Sequence, residues 1–140
     1  MNRGPIAVID IGSNTIRSLV VESLPHGGYR VLDDERETAR LASGLNRDGC
    51  LSAMAIARAV KALKRMAEII RARGARRIAV VATSAIRNAS NRRAFVARVA
   101  RETGLRVRVI SGEEEAQLAF ESAALSFDLH DRPCAVADVG

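Results

Sequence analysis

Apolar positions along the chain change their period several times, and each change marks an element. Ile6-Ala7-Val8-Ile9-Asp10-Ile11 is a short apolar run ended by Gly12-Ser13-Asn14, which predicts a buried strand and a turn. A second strand follows over Ile16 to Leu24, rich in Leu and Val. Pro25-His26-Gly27-Gly28 then turns the chain into a third extended stretch, about Tyr29 to Leu41. The period then becomes helical. With Ser52 as N-cap, Ile56, Val60, Leu63, Ala67 and Ile70 fall on one face of a long helix reaching about Arg73, and Gly74 ends it.

Arg76 to Ala82 predicts a fourth strand. A second helix covers about Asn91 to Thr103, with Phe95, Val96 and Val99 turned inward and Gly104 as its stop. Leu105 to Ile110 alternates with Arg106 and Arg108, the pattern of a half-buried fifth strand. Ser111-Gly112-Glu113-Glu114 opens a third helix to about Phe127, and Cys134 to Val139 is a last strand. The order βββαβαβα predicts an α/β fold, a mixed sheet with helices packed on it. A closing strand with no partner after it would be a bare edge. The expectation is therefore a first domain over residues 1–132 and the opening strand of a truncated second domain over 133–140.

Composition narrows the class without naming a function. At 140 residues, 48% hydrophobic and 27% charged, the chain is long enough for one domain with its own core, and disordered or low-complexity classes are excluded. Cys50 and Cys134 have no metal-ligand spacing and read as reduced thiols. No run approaches the ~20 apolar residues of a membrane span, so a cytoplasmic protein without membrane contact is expected. The net charge of +6 is unevenly spread. Residues 51–110 carry 15 basic and 2 acidic side chains, whereas residues 111–140 carry a single base, Arg132. Such a middle suits either a polyanionic partner or a solvated, ion-paired helix face.

Four strings carry candidate chemistry. In Asp10-Ile11-Gly12-Ser13-Asn14-Thr15 a strand delivers a carboxylate to its C-terminal end, and the small turn after it can aim N–H groups at a phosphate or serve as a plain hairpin turn. Ala82-Thr83-Ser84-Ala85-Ile86-Arg87 repeats small hydroxyl residues at a strand end, with Arg87 as a phosphate clamp or a surface residue. In Ser111-Gly112-Glu113-Glu114-Glu115, Ser111 and Glu114 satisfy the capping-box pattern. Glu115, beyond that pair and on the face of Leu118, Ala119 and Ser122, is left to point towards the sheet and handle a water proton. Ala135-Val136-Ala137-Asp138-Val139-Gly140 repeats the pattern around Asp10, which suggests two related halves gripping one phosphate, with the two aspartates near Mg²⁺.

Together these strings resemble the exopolyphosphatase and guanosine pentaphosphate phosphohydrolase family of the actin, Hsp70 and sugar kinase superfamily. The segments that carry it are AVIDIGSNTIRSLVVE (7–22), RLASGLNRDGCLS (40–52), VATSAIRNASN (81–91), VISGEEEAQLAF (109–120) and AVADVG (135–140). The resemblance implies a ribonuclease H-like, actin-like ATPase domain and an active site between two such domains. By position Glu115 resembles the catalytic glutamate and Arg87 the phosphate-contacting arginine. Gly12, Ser13 and Asn14 match the first phosphate loop, and Asp138 with Gly140 the start of the second. Asp10 and Asp138 stand where the superfamily places carboxylates associated with a metal, expected to be Mg²⁺. Arg17 is set aside because its position need not be basic in relatives.

The implied activity is release of terminal phosphate from inorganic polyphosphate, with guanosine pentaphosphate as the alternative substrate and a homodimer expected of the full-length protein. The basic middle favours the polymer. A kinase-like phosphotransferase of the same superfamily is the second class, disfavoured by the acidic run beside Arg87. A nucleic-acid module is the third, disfavoured because Tyr29, Phe95, Phe120 and Phe127 are the only aromatics.

Overall fold

The structure, a computed structural model, describes residues 4–126 together with 135 and 136. Five strands form one sheet: β1 (Ile6–Ile11), β2 (Thr15–Ser23), β3 (Tyr29–Thr38), β4 (Arg77–Ala82) and β5 (Val107–Val109), in the order β3-β2-β1-β4-β5. β1 pairs antiparallel with β2, and β2 with β3, whereas β4 and β5 continue parallel to β1. Two hairpin reversals make β3 parallel to β1 as well. The C-terminal ends of β3, β1, β4 and β5 therefore share one edge of the sheet, the edge where ligands of α/β sheets bind.

The alternation along β1 decides which face is covered. Ala7, Ile9 and Ile11 are fully buried while Val8 and Asp10 are exposed. Register carries that layer sideways, with Ile11 opposite Ile16, Ile9 opposite Ser18 and Ala7 opposite Val20, all buried. Over this face lies α1 (Ala53–Ala72), which buries the predicted stripe from Ile56 to Ile70 and adds Ala59 and Met66 between. Ser52 caps it, its hydroxyl accepting the Ala55 N–H at 3.2 Å, and Gly74 after it has φ +75°. Helix α3 (Arg92–Thr103) adds Phe95 and Val99 to the same core and stops at Gly104 in the left-handed conformation. Val96 is only partly buried against that core.

Three expectations are corrected at the local level. The third extended stretch ends at Thr38, and the chain then enters a short 3-10 turn over Ala42–Gly44. The segment between β4 and the helix expected from Asn91, to which the pattern assigned no element, contains a short helix, α2 (Ser84–Asn88). The fifth strand is three residues long, with Leu105 and Ile110 buried just outside it. Helix α4 (Gly112–Ser126) follows and has no buried residue. The predicted last strand, the 132/133 domain boundary, Cys134, Asp138 and Gly140 lie outside the described residues, and Ala135 and Val136 are described without regular structure.

Candidate active site

At the shared edge the parallel strands hand their chains to three loops, and hydrogen bonds tie these into one unit. The ladder itself continues beyond the strands: Thr83 N–H donates to the Ile11 carbonyl at 3.2 Å, and Ile110 N–H to the Ala82 carbonyl at 3.1 Å. This sets the first residues after β4 and β5 beside the end of β1.

The turn after β1 is built for close approach. Gly12 N–H donates to the Thr15 carbonyl at 3.1 Å, and a Cβ at Gly12 would lie 2.9 Å from that same oxygen, so a side chain there would force the turn open. The carbonyls of Ser13 and Asn14 are held from behind by the N–H groups of Ala42 and Arg40, each at 2.8 Å. Their own amides find no acceptor among the described residues. Amides left over at a glycine-containing bend form a natural anion cradle. Ser13 Oγ lies 2.7 Å from Ser84 Oγ, which joins this turn to the start of α2.

Arg87 sits in the last turn of α2, where the Thr83 carbonyl accepts its backbone N–H at 2.9 Å. Its guanidinium donates from Nη1 to the Ile110 carbonyl at 3.0 Å and to Glu115 Oε2 at 2.9 Å. Both side chains are half-buried, 25% and 29% exposed, so the pair is shielded yet reachable from solvent. Glu115 thus faces Arg87 at the sheet edge. The capping box is half made: Ser111 Oγ accepts the Glu114 N–H at 3.1 Å, but the Glu114 carboxylate pairs with Arg108 instead of closing the box. Glu113, in the first turn of α4, is exposed.

Asp10 is exposed on the open face of the sheet, in register with Arg17 of β2. Arg17 bonds Asp34 through two nitrogens at 2.9 and 2.6 Å. That hydrogen bonding raises the Arg17 pKa and lowers that of Asp34, and the charge of Asp10 adds to the first effect. Arg17, set aside from the sequence, is therefore a neighbour of the site. The signal was present: a hairpin turning over residues 12–15 must bring position 10 opposite position 17. Ser84 stood in a candidate string without a role, and the Ile110 carbonyl was missed, since each acts through tertiary contacts that no local pattern encodes. The second phosphate-loop candidates, Asp138 and Gly140, lie outside the described residues, so only the first half of the expected grip is on view. Among the described residues no three His, Cys, Asp or Glu side chains gather into a metal-binding group.

These loops gather at one end of a mixed five-stranded sheet with helices packed on one face. The profile of the Ppx/GppA phosphatase family matches residues 19–140. A family member from Aquifex aeolicus superposes with a TM-score of 0.82 at 31% identity, over 89% of this chain and 40% of that one. An exopolyphosphatase from Cytophaga hutchinsonii superposes with a TM-score of 0.83 at 29% identity, over 86% of this chain and 38% of that one. A nucleoside triphosphate hydrolase from Neospora caninum shares the fold alone, at 17% identity and a TM-score of 0.51. The chain belongs to the Ppx/GppA phosphatase family and spans about 40% of the length of the Aquifex structure it matches.

Proposed function

We propose that the full protein hydrolyses a terminal phosphoanhydride, with inorganic polyphosphate as substrate. The observation that supports this most is the convergence of Ser13, Ser84, Arg87 and Glu115 at one sheet edge, through contacts of 2.7 Å between the serines and 2.9 Å between the charged groups. Water is the attacking group, and its line of attack is opposite the bridging oxygen that leaves with the shortened chain.

The Ser13 and Asn14 amides receive phosphoryl oxygens, and the Arg87 fork takes the charge that grows on them. As Arg87 turns towards phosphate, the Glu115 carboxylate is released to accept a hydrogen bond from water, orient it and take its proton. The same Nη1 that meets Glu115 also donates to the Ile110 carbonyl at 3.0 Å, which tethers Arg87 to the end of β5. For Mg²⁺ the donor set fits a weakly caged ion. Asp10 offers an exposed carboxylate, and magnesium commonly keeps waters and takes one or two carboxylates plus substrate oxygens. Asp10 and Asp138 would hold it, and when bound it would neutralise phosphate charge.

In the full protein, Glu115→Gln is expected to lower turnover of polyphosphate at least ~10²-fold, the low end for a general base. Initial rates of phosphate release measure it, and near-normal turnover would remove Glu115 from the mechanism. The basic middle of the sequence favours the polymer over guanosine pentaphosphate, and higher kcat/KM on the latter would reverse that preference. ADP formation that depends on a small acceptor would point to a phosphotransferase instead.

A further inference from the structure

Arg87 rides on a helix too short to hold it in place alone. α2 is five residues long, and a helix of that length is marginal without tertiary support. Its start is tied by the contact between Ser13 and Ser84 and by the Thr83 N–H on the Ile11 carbonyl. Its far end passes through Ala89 and Ser90 into α3, and Arg92 Nη1 donates back to the Arg87 carbonyl at 2.9 Å. That end also rests on the loop over residues 39–52, and the joint between them is Asn91.

An asparagine just before a helix ordinarily caps it, yet Asn91 makes no side-chain cap bond in α3. Its carboxamide is turned onto Leu51 instead, accepting the N–H at Oδ1 and donating from Nδ2 to the carbonyl, each at 3.0 Å. Beside it the Ser90 N–H donates to the Gly49 carbonyl at 2.9 Å. Leu51 is buried and bridges Leu45 in antiparallel fashion, so the contact reaches the stem of the loop and not a free tip. The other end of the same loop lends the Arg40 and Ala42 amides to the Asn14 and Ser13 carbonyls. A closed circuit results. It runs from the phosphate turn through the loop to Asn91, on to α2 with Arg87, and through Ser84 back to Ser13.

We propose that Asn91 is a positioning residue for the reaction, holding the Arg87 guanidinium at a fixed place relative to the Ser13 and Asn14 amides. It acts through Arg87 and not on phosphate. The link needs a donor and an acceptor in one planar group, which a carboxamide has and an ionised carboxylate lacks. This inference rests on the phosphoanhydride reading of the active edge and adds what sets the spacing of its two phosphate contacts.

The test compares Asn91→Ala, Arg87→Ala and the double variant of the full protein, by initial rates of phosphate release from polyphosphate. Misplacing a group by about 1 Å can cost about 10²-fold in rate. Asn91→Ala is expected to lower kcat by that order with KM within about threefold, and to add less than about twofold to the loss in the Arg87→Ala background. Asn91→Asp, equal in size, keeps the acceptor and loses the donor, so its kcat is expected between those of wild type and Asn91→Ala. Losses that multiply in full with Arg87→Ala would overturn the proposal, as would a lowered unfolding midpoint with kcat intact. If circular dichroism shows that neither Asn91 variant folds, the bond is structural and the proposal fails. A slow Arg87→Ala beside a normal Asn91→Ala removes the positioning role alone, whereas near-normal turnover of Arg87→Ala removes the catalytic reading beneath it.

Discussion

Individual side chains in this domain divide into those that satisfy the core and those that strain it. Ser18 faces Ile9 in the middle of the sheet, 1% exposed, and its hydroxyl has no hydrogen-bond partner among the described residues. A buried hydroxyl left unbonded costs about 1–3 kcal/mol. Ser18→Ala is expected to raise stability by about 1 kcal/mol in denaturant unfolding, and a loss of that size would show that the hydroxyl has a role in the native state. Arg40 is the opposite case, a backbone held at φ +49°. Arg40→Gly should leave stability unchanged or raise it by up to about 1 kcal/mol, because glycine carries no steric penalty there. At this scale the sequence marked Asp10, Arg87 and Glu115 as candidates from the short polar strings that follow predicted strands, and the structure pairs Arg87 with Glu115. It could not show that Ile110 offers Arg87 a carbonyl, since that contact depends on the parallel pairing of β4 with β5.

Long periodic elements were the most readable. The stripe of α1 and the Ser52 cap are as the spacing required, because nine buried positions on one helix enforce a period that loops cannot disguise. Helix α2 was not readable. Five residues leave no room for a period, and Thr83 before it has no side-chain cap bond to announce it. A distant side chain helps to hold the loop over residues 39–52. Asn91 accepts the Leu51 N–H and donates to the Leu51 carbonyl, both at 3.0 Å, which anchors the loop to the start of α3.

The helices are also coupled by charge. Glu102 of α3 is hydrogen-bonded by Lys64 of α1 and Arg98 of its own helix, which together hold its carboxyl at about 2, below the ordinary 4.5. Its contribution to stability is therefore complete above about 4.5 and is lost as pH falls through about 2. Unfolding midpoints of Glu102→Gln should fall below wild type at neutral pH and converge with it towards pH 2. A constant gap between the two curves would dissociate the ion pairs from stability.

For the molecule as a whole, the chain order of elements was enough to forecast a mixed sheet, because three early strands and later helix–strand alternation admit few topologies. The strand order was not given by periodicity, and neither was the covering of one face by α1 and α3. Both arise from which surfaces pack once β1 lies in the centre. That central position brings the ends of β3, β1, β4 and β5 to one edge and makes an active site there geometrically possible. Among the described residues no helix is long and apolar enough to cross a membrane.

The central claim is that Arg87 and Glu115 act together on one phosphoryl group. A double-mutant cycle on kcat/KM for phosphate release from polyphosphate, using Arg87→Ala, Glu115→Gln and both in the full protein, addresses it directly. Groups working as one unit give a double variant about as slow as the slower single one. If the two losses multiplied in full, the residues would be working independently and the account would be contradicted.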